Sequence, residues 1–379
     1  MQKKIKVALM SYAMDNRAAK GTALYTRQLI QGLLGDEQFE FYGVHYDEVT
    51  DPLYKKMYEI IMPRVTLPYG SRFISQLLFF WKYRNDQFDI IHWFQPRVYP
   101  LYWLAPAKKI LVTMHGAGDI SAPTRFVFSR MVFNFVLKYM HQWIDKVIVV
   151  SQNAKEEVVR YYNFLPQTIA VIYNGGGENF VPLDSSMART VVAQKYGVTS
   201  AYIFDLSRLV PHKNVATLIK AYEVMRRTHT EHTEKLVIVG GAMSEQTEEY
   251  VIARASLFSQ DIVFIGFVAA EDLNALYCAS SLFVFPSLSE GFGLPVLEAM
   301  ASGVPVITSN VTSMPEIGAT AVLTIDPRDV DKLATAMHTV LTDTNIRNGM
   351  IIRGLERAKE FTWSTMVERT KDLYIEIVT

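Results

Sequence analysis

Two cations directly follow an apolar run of the sequence, in positions where they could bind an anionic group. Arg208 and Lys213 come after YIFDLS, residues 202–207, which has the pattern of a buried β-strand. A guanidinium fork and an ammonium at the carboxyl end of a strand suit a diphosphate and would stabilise negative charge on a departing group. A single Arg or Lys there is more often a solvated surface charge, so the pair is what favours a binding role.

The segment after these cations has the pattern of an amphipathic helix. Asn214 is predicted to cap it. Its apolar residues recur at helical spacing and form the predicted buried stripe, which consists of Val215, Leu218, Ile219 and Tyr222. The two cations are therefore expected in a short loop between a strand and a helix.

A second motif places two glutamates around a loop with two glycines, in SLSEGFGLPVLEAMASGVPVI at residues 287–307. Glu290 lies in the loop, followed by Gly291 and Gly293, and its carboxylate can accept hydrogen bonds from hydroxyl groups. Glu298 lies about one helical turn further on, within reach of a ribose diol. A plain strand–turn–helix would explain Glu298 but not Glu290 beside both glycines, so the motif favours a ligand-binding loop.

The helix after this loop has clear start and stop signals. Pro295 suits its first turn, and Gly303 suits its end. The main-chain amides of Phe292, Gly293 and Leu294 would point out of the helix start, where the helix dipole favours negative charge. The loop is therefore predicted to hold a phosphate or a sugar hydroxyl.

Other polar residues have patterns that fit structural roles at least as well. His115 ends the apolar run ILVTMH, a place where a single histidine is usually structural. Asp329 and Asp331 form a D-x-D triplet, but they open a helical pattern in which capping explains them, so no metal is predicted. His229 and His232 have a spacing that can hold zinc, yet without a second ligand pair they are predicted to form a polar loop.

Short β-branched runs alternate with helical patterns along nearly the whole chain, which is typical of an α/β fold built on parallel sheets. The predicted strands are residues 5–11, 39–45, 89–94, 110–115, 146–151, 169–174, 202–207, 235–240, 261–266, 281–286 and 304–309. Open sheets of this kind bind ligands at the carboxyl ends of their strands, which is where the motifs above fall.

The chain has 379 residues, enough for two hydrophobic cores. Between residues 174 and 198 the pattern weakens into glycines, a proline and polar residues, which indicates a hinge. We predict two Rossmann-like, doubly wound domains at residues 1–178 and 188–362, facing across a cleft that would hold the ligand. Residues 363–378 are predicted to form a helix that could join the first domain.

Composition bears on compartment and partners. The single cysteine, Cys278, excludes a disulfide framework and favours a reducing, cytoplasmic compartment, and the apolar start is too short for a signal peptide or a membrane span. Residues 1–178 carry 21 Lys and Arg against 15 Asp and Glu, whereas the rest carry 17 against 23. The basic first half either suits an anionic membrane face or glycolipid, or simply attracts its acidic neighbour.

These motifs together resemble those of the retaining glycosyltransferases of family 4, which have the GT-B architecture. The resemblance rests on SRLVPHKN, on IVFIGFVAAEDLNALYCASSLFVFPSLSEGFGLPVLEAMASGVPVITSN and on MPEIG, and it is strongest over residues 202–318. The E-x7-E spacing from Glu290 to Glu298 is its most specific part. The resemblance implies a metal-independent enzyme without a cofactor, which moves a hexose from a nucleotide-diphosphate sugar to an acceptor hydroxyl.

The resemblance also implies roles for single residues of the second domain. Arg208 and Lys213 match the diphosphate-binding pair, Glu298 matches the ribose-binding glutamate, and Glu290 matches the carboxylate near the donor sugar. The implied donor loop contributes the main-chain amides of Gly291, Phe292, Gly293 and Leu294. The implied base-binding turn consists of Gly266, Phe267 and Val268.

In the first domain the resemblance concerns a glycine loop and a histidine. Gly21 and Thr22 match the loop near the phosphates and the acceptor, and His115 matches the active-site histidine. Asp119 either assists or is an ordinary loop carboxylate. The chain departs from the family in NGGGENF, where Glu178 or Asn179 stands in place of an aspartate.

Two aromatic stretches with interleaved cations, residues 71–84 and 124–143, bear on the acceptor. In the first, the apolar positions at helical spacing are Phe73, Ile74, Leu77, Leu78 and Trp81. Core packing is the simpler explanation, and the alternative is an acceptor groove or a patch at the inner membrane face. Neither stretch is long and apolar enough to span a bilayer.

The predicted function is therefore transfer of a hexose, with GDP-mannose or a UDP-hexose as donor, to a cell-surface glycan or a lipid-linked glycan precursor, without nucleic acid. The alternative is a GT-B protein that has lost catalysis and serves as a binding or scaffold protein. A nicotinamide-dependent oxidoreductase is disfavoured because no G-x-G-x-x-G follows the first strand.

Overall fold

The computed structural model describes residues 3–15, 20–46, 51–63, 65, 71–95, 102–116, 137–139, 141–241 and 247–379. The strands within these ranges are β1 (Ile5–Met10), β2 (Phe39–His45), β3 (Tyr58–Ile61), β4 (Phe88–Trp93), β5 (Ala107–Met114), β6 (Lys146–Val149), β7 (Ile169–Val171), β8 (Tyr202–Leu206), β9 (Lys235–Val239), β10 (Ile262–Ile265), β11 (Leu282–Phe285), β12 (Val306–Ser309) and β13 (Leu323–Ile325).

The α-helices within the same ranges are α1 (Lys20–Leu33), α2 (Ser71–Tyr83), α3 (Gln152–Tyr162), α4 (Ser185–Tyr196), α5 (Val215–Thr228), α6 (Glu248–Ala255), α7 (Leu273–Cys278), α8 (Leu294–Ala301), α9 (Met314–Gly318), α10 (Val330–Thr342), α11 (Thr344–Ala358) and α12 (Trp363–Val378).

The described residues divide into two compact units. The first comprises Met1–Asn174 and Trp363–Thr379, and the second comprises Gly175–Thr362. The boundary falls slightly before the predicted residue 178, because Gly177 packs within the second unit. Its amide donates to the Phe361 carbonyl at 3.4 Å, and the residue lies directly against the backbone of Ala358.

The first unit is built on a seven-stranded parallel sheet in the order β3-β2-β1-β4-β5-β6-β7. Its central strands are buried on both faces, as the continuous apolar runs require. The carboxyl ends of β1, β4 and β5 share one edge, which brings the segments that follow them close together.

The C-terminal helix α12 belongs to this first unit, which the sequence left open. Trp363, Val367 and Tyr374 are buried in the same core as Leu29 of α1. Gly32 allows the two helices to approach closely, because a Cβ at that position would run into Val367. Lys371 also pairs with Asp36 beyond the end of α1, at 3.2 Å.

The second unit is built on a six-stranded parallel sheet in the order β10-β9-β8-β11-β12-β13. One face of this sheet packs against α5 and α10, through a core that includes Leu218, Tyr222, Leu333 and Met337. The predicted stripe of α5 is confirmed, since all four of its residues are fully buried. The α/β fold class is confirmed in both units.

All predicted strands are present, with ends that agree to within three residues. Strands β3 and β13 were not predicted. Each lies at an edge of its sheet and has only four and three residues, respectively. Both strands are also interrupted by a polar residue, Glu59 in YEII and Thr324 in LTI, so neither forms the apolar run by which the other short strands were predicted.

The predicted apolar stripe of α2 is wrong. The buried residues of the helix are Ser75, Gln76, Phe79 and Phe80, so the helix turns a different face to the sheet. Leu78 and Trp81 are 40% and 65% exposed. Of the second aromatic stretch, residues 124–136 and 140 lie outside the described residues.

Candidate functional site

The strand-end cations of the second unit lie where β8 and β9 finish. Arg208 follows β8 by two residues, and its side chain is exposed to solvent. Gly240 and Gly241, which follow β9, have φ values of +129° and +83°. A Cβ on Gly240 would lie 2.9 Å from the Ser207 carbonyl, so the glycine permits this close approach of the two strand ends.

Lys213 and Glu290 form an ion pair, although they are 77 residues apart in sequence. Lys213 Nζ lies 2.5 Å from Glu290 Oε1, and each side chain is 15% exposed. The ammonium also lies 4.7 Å from the ring centre of Phe285, and Ser287 Oγ lies 2.7 Å from Glu290 Oε1. The structure therefore brings together the predicted diphosphate-binding lysine and the predicted sugar-binding glutamate.

Arg208 differs from Lys213 in having no such partner among the described residues. In the part of the chain that the structure describes, no carboxylate lies within ion-pairing distance of Arg208. Its guanidinium charge is thus available to an anionic ligand, whereas the charge of Lys213 is balanced by Glu290.

The loop after β11 is held by two hydroxyl residues that the sequence analysis did not single out. Thr312 Oγ1 accepts a hydrogen bond from the Glu290 amide at 3.2 Å. Ser313 Oγ lies 3.0 Å from the Glu290 carbonyl and 2.9 Å from the Phe292 carbonyl. A Thr-Ser pair just before MPEIG is the signal that could have indicated them.

Helix α8 begins directly after this loop, as predicted. Gly293 is its N-cap with φ +106°, and a Cβ there would run into the end of Met314. Pro295 lies in the first turn, and Gly303 follows the helix with φ +73°. Within the described ranges the amides of Gly293 and Leu294 donate to no acceptor, as expected at a helix start.

Glu298 and Asp205 are two acids of the second unit with raised pKa values, and of the two only Asp205 is fully buried. Tyr277 donates its hydroxyl hydrogen to Glu298 Oε2 at 2.9 Å, and burial raises the pKa of Glu298 to about 7. Asp205 is fully buried in β8, which raises its pKa to about 7, while Ser207 donates to its Oδ1 at 2.9 Å. The charge of Lys213 acts in the opposite direction on Asp205.

Asp205 was missed by the sequence analysis. Its signal is an acidic residue inside the apolar run YIFDLS, where a buried strand has no obvious partner for a carboxylate. Its Oδ2 indeed has no hydrogen-bond partner among the described residues.

The predicted base-binding turn follows β10. Phe267 is 64% exposed and Val268 is buried, and the position of a Cβ on Gly266 is open. The turn therefore presents its first two residues outward.

Asn214 does not cap α5 through its side chain, so that part of the prediction is wrong. It has φ +59°, and its Nδ2 donates to the carbonyls of Pro286 at 3.0 Å and Pro327 at 2.6 Å. The amide instead ties together the segments that follow β11 and β13, two strands that β12 separates in the sheet, and this fixes the loop that carries Lys213. Asp329, by contrast, caps α10 as predicted, accepting from the Lys332 amide at 2.9 Å.

In the first unit, Gly21 and Thr22 lie in the first turn of α1 and not in the predicted loop. The apolar residues that follow recur at helical spacing and pack on the sheet, which draws these two residues into the helix. None of the described residues lies within 4 Å of a Cβ built on Gly21.

His115 follows β5 as predicted, is half-buried and lies edge-on to an aromatic ring. Its ring centre lies 4.9 Å from that of Tyr25, and its Nε2 lies 3.2 Å from the Phe94 carbonyl. Because a carbonyl can only accept, Nε2 carries the proton and Nδ1 is the acceptor nitrogen. Burial lowers the pKa of His115 to about 4, so the ring is neutral at physiological pH.

A second histidine, His92, lies beneath His115 and was not predicted. Its Nδ1 lies 2.7 Å from the hydroxyl of Tyr374, and its Nε2 lies 2.7 Å from that of Thr113. Burial lowers its pKa to about 3. These two hydrogen bonds of His92 tie α12 to the centre of the sheet, so His92 has a structural role. Asp119 lies outside the described residues.

Among the described residues, none of the helices has the length and apolar character needed to span a bilayer.

Comparison with known proteins gives two family matches that together span most of the chain. The model described as Glycosyltransferase Family 4 matches residues 20–175, and the model described as Glycosyl transferases group 1 matches residues 192–357.

Individual proteins agree with these matches. The O-antigen chain mannosyltransferase B of Escherichia coli is 30% identical over 271 residues, which cover 70% of this chain and 70% of that protein. The serotype-specific mannosyltransferase WbdA of Escherichia coli is 33% identical over 223 residues, which cover 58% of this chain but 27% of that protein. The structure of HepE from Anabaena, solved with UDP and glucose, has a TM-score of 0.76 at 19% identity and covers 98% of this chain and 99% of its own.

Proposed function

The chain belongs to the family 4 glycosyltransferases, and we propose that it transfers a hexose, with mannose as the first choice, from a nucleotide-diphosphate sugar to a hydroxyl of a cell-surface or lipid-linked glycan. The acceptor oxygen forms a bond to the anomeric carbon, the bond from that carbon to the diphosphate breaks, and the acceptor hydroxyl releases its proton. The family resemblance implies retention of configuration. Catalysis then depends on stabilising the departing diphosphate.

The observation that carries this proposal is the ion pair with Glu290 that Lys213 forms from the loop after β8. An ammonium that is already oriented by a carboxylate can turn to a phosphoryl oxygen without first being ordered. Arg208 and the amides of Gly293 and Leu294 supply further positive charge in the same unit. Because the chain supplies this charge, the proposal assigns no metal and no organic cofactor to the transfer step.

The remaining residues act on the sugar and the nucleoside. Glu290 would accept hydrogen bonds from the donor sugar once Lys213 engages the diphosphate. Glu298, with a pKa of about 7, can accept from or donate to the ribose hydroxyls. His115 would orient the donor sugar through its acceptor nitrogen Nδ1, while the turn at Phe267 would hold the base.

The donor is proposed to be GDP-mannose, with a UDP-hexose as the second possibility. Mannosyltransferases among the relatives support the former, and the UDP complex of HepE supports the latter. A thermal-shift series with GDP, UDP and ADP and their sugars separates them, because a ligand stabilises the fold according to its excess over the dissociation constant.

The test of the site compares Lys213→Ala, Arg208→Ala and the double variant Lys213→Ala/Glu290→Gln. Each single change should lower turnover by more than about tenfold, since the loss of one charge-directed contact costs on the order of 2 to 4 kcal/mol. Lys213→Ala should also weaken binding of the nucleoside diphosphate, because it leaves an unpaired carboxylate beside the phosphates. Adding Glu290→Gln should restore that binding without restoring turnover.

Lys195→Ala is the matched control, since Lys195 pairs with Asp272 at 2.6 Å elsewhere in the same unit. Full turnover in both single variants of the site would contradict the assignment. Nucleotide binding by the wild type, with neither transfer nor donor hydrolysis, would favour the alternative of a binding protein that has lost catalysis.

The acceptor is proposed to be presented at the cytoplasmic face of a membrane. The exposed side of α2 supports this, because Leu78 and Trp81 are exposed there, close in sequence to the exposed Lys82 and Arg84. Arg84 lies 4.6 Å from the ring of Trp81, an arrangement of cations and aromatic rings that suits an anionic lipid surface.

A further inference from the structure

Three of the eight histidines of the chain gather at one point on the second unit. His229 and His232 lie in the turn after α5, and His338 lies on α10, 106 residues beyond His232. The sequence analysis assigned the first two to a polar loop because it found no further ligand. The packing of α5 against α10 supplies that ligand.

The donor atoms of this cluster lie close together. Those of His229, Glu231 and His338 are all within 4.8 Å of one another, with 3.6 Å from His229 Nδ1 to Glu231 Oε1 and 3.9 Å from His338 Nδ1 to the same oxygen. The rings of His229 and His338 are stacked with their centres 3.5 Å apart. His232 Nε2 lies 3.0 Å from His338 Nδ1.

His232 is oriented by a carboxylate. Its Nδ1 lies 3.1 Å from Glu234 Oε2, so Nδ1 carries the proton, and the lone pair of Nε2 faces the other histidines. A carboxylate that fixes the tautomer of a metal-binding histidine in this way is common around metal sites. The position of Glu234 is therefore independent support for a metal site.

We propose that His229, Glu231, His338 and His232 bind a zinc-class divalent metal ion. Bonds of 2.0–2.1 Å in a tetrahedron place ligand atoms about 3.3 Å apart, so the donor atoms of His229, Glu231 and His338 must close by up to about 1.5 Å, and the two stacked rings must rotate out of their parallel arrangement. His229 and His338 are 32% and 25% exposed, which leaves them free to make this rotation. A set of imidazoles and one carboxylate selects Zn²⁺ and its neighbours over Mg²⁺ and Ca²⁺, which prefer oxygen ligands.

The role of this metal is structural. His229 lies at the end of α5 opposite Lys213, and the 14 residues of that helix separate the two by about 20 Å. The ion would clamp the turn after α5 to α10 and so stabilise the second unit. His229 also lines a surface pocket with Thr228 and Asp331, which gives the ion access from solvent.

The experiment titrates the full chain, without a histidine tag and after chelator dialysis, with Zn²⁺ against a chromophoric chelator near pH 7.5. The wild type should bind one Zn²⁺ per chain and should not bind Mg²⁺ or Ca²⁺. Glu234→Gln should weaken zinc binding by about 10- to 100-fold, and His338→Ala by at least as much. Zn²⁺ should raise the Tm of the wild type but not that of His338→Ala.

His141→Ala is the matched control, because it removes a histidine of the first unit, whose Nδ1 lies 2.8 Å from the Lys138 carbonyl. Equal Tm values of the variants without zinc show that they are folded. The proposal is overturned if the wild type binds no zinc at stoichiometric concentration, or if His141→Ala lowers the affinity as much as His338→Ala.

Discussion

Replacing Asp205 by Asn is expected to change how the stability of the second unit depends on pH. Asp205 is fully buried, its pKa is raised to about 7 from 3.8, and Lys213 is the cation whose charge acts on it. The folded protein therefore holds a proton on this group over a pH range in which the unfolded chain has released it. Asn has nearly the same shape and cannot ionise.

The sign follows from the number of bound protons. Below pH 4 both states are protonated, and the stabilising effect of the raised pKa is fully present. Between about pH 4 and pH 7 the folded state alone binds the proton, so the free energy of unfolding of the wild type falls as the pH rises, by about 1.4 kcal/mol per unit. From pH 5 to pH 8 the Asp205→Asn variant should therefore gain about 3 kcal/mol relative to the wild type.

The variant also has a cost that does not depend on pH. Asp205 Oδ2 has no partner among the described residues, so the new amide NH₂ would be buried without an acceptor, at about 1–3 kcal/mol. For this reason the change of the stability difference with pH is decisive, and the absolute stability at one pH is not. The hydrogen bond from Ser207 is retained by the amide oxygen.

The assay is urea unfolding at pH 5, 6, 7 and 8, followed by circular dichroism and by tryptophan fluorescence. The tryptophans all lie in the first unit, at positions 81, 93, 103, 143 and 363, so a dichroism change without a fluorescence change reports the second unit. A difference between variant and wild type that stays constant from pH 5 to pH 8 would show that Asp205 is ionised in the folded state, and it would refute the reasoning.

Two further predictions concern a pair of glycines and the exposed side of α2. Gly21→Ala should stabilise the first unit by about 0.4–1 kcal/mol in urea unfolding, because Gly21 lies in a helix with open space around a Cβ among the described residues. Gly293→Ala should destabilise the second unit by more than about 1 kcal/mol, because Gly293 has φ +106° and a Cβ there would run into Met314. Equal effects would contradict the backbone assignment. Leu78→Ser/Trp81→Ser should reduce cosedimentation with anionic vesicles at least severalfold without lowering Tm, and unchanged binding would rule out this side as the membrane contact.

The sequence predicted the local features of the fold well, because their causes lie within a few residues. The strands, the start of α8 after Gly293 and its end before Gly303 all follow from apolar runs and from residues with special backbone freedom. The short edge strands β3 and β13 lack such a run. The face of α2 that packs on the sheet could not be predicted, since aromatic residues occur all round this helix.

The partners within the candidate site were harder to predict, because they depend on which strand ends become neighbours. Asn214 has the type and position of a helix cap, yet the carbonyls of Pro286 and Pro327 compete successfully for its amide. Likewise His229 and His232 form a polar loop in the sequence and a cluster only once α10 brings His338 against them.

The electrostatics of the strand-end loop show why its two cations are not equivalent, although they form a symmetrical pair in the sequence. Lys213 is balanced by Glu290, while Arg208 faces solvent without a carboxylate partner in the described ranges. The pKa values of Asp205 and Glu298 lie near 7, so both acids lose much of their negative charge as the pH falls below neutrality. Under the proposed function, an incoming diphosphate would meet the field of Arg208 and the helix-start amides first, and Lys213 would join only by exchanging its carboxylate for a phosphoryl oxygen. That exchange would couple the position of Glu290 to the arrival of the donor.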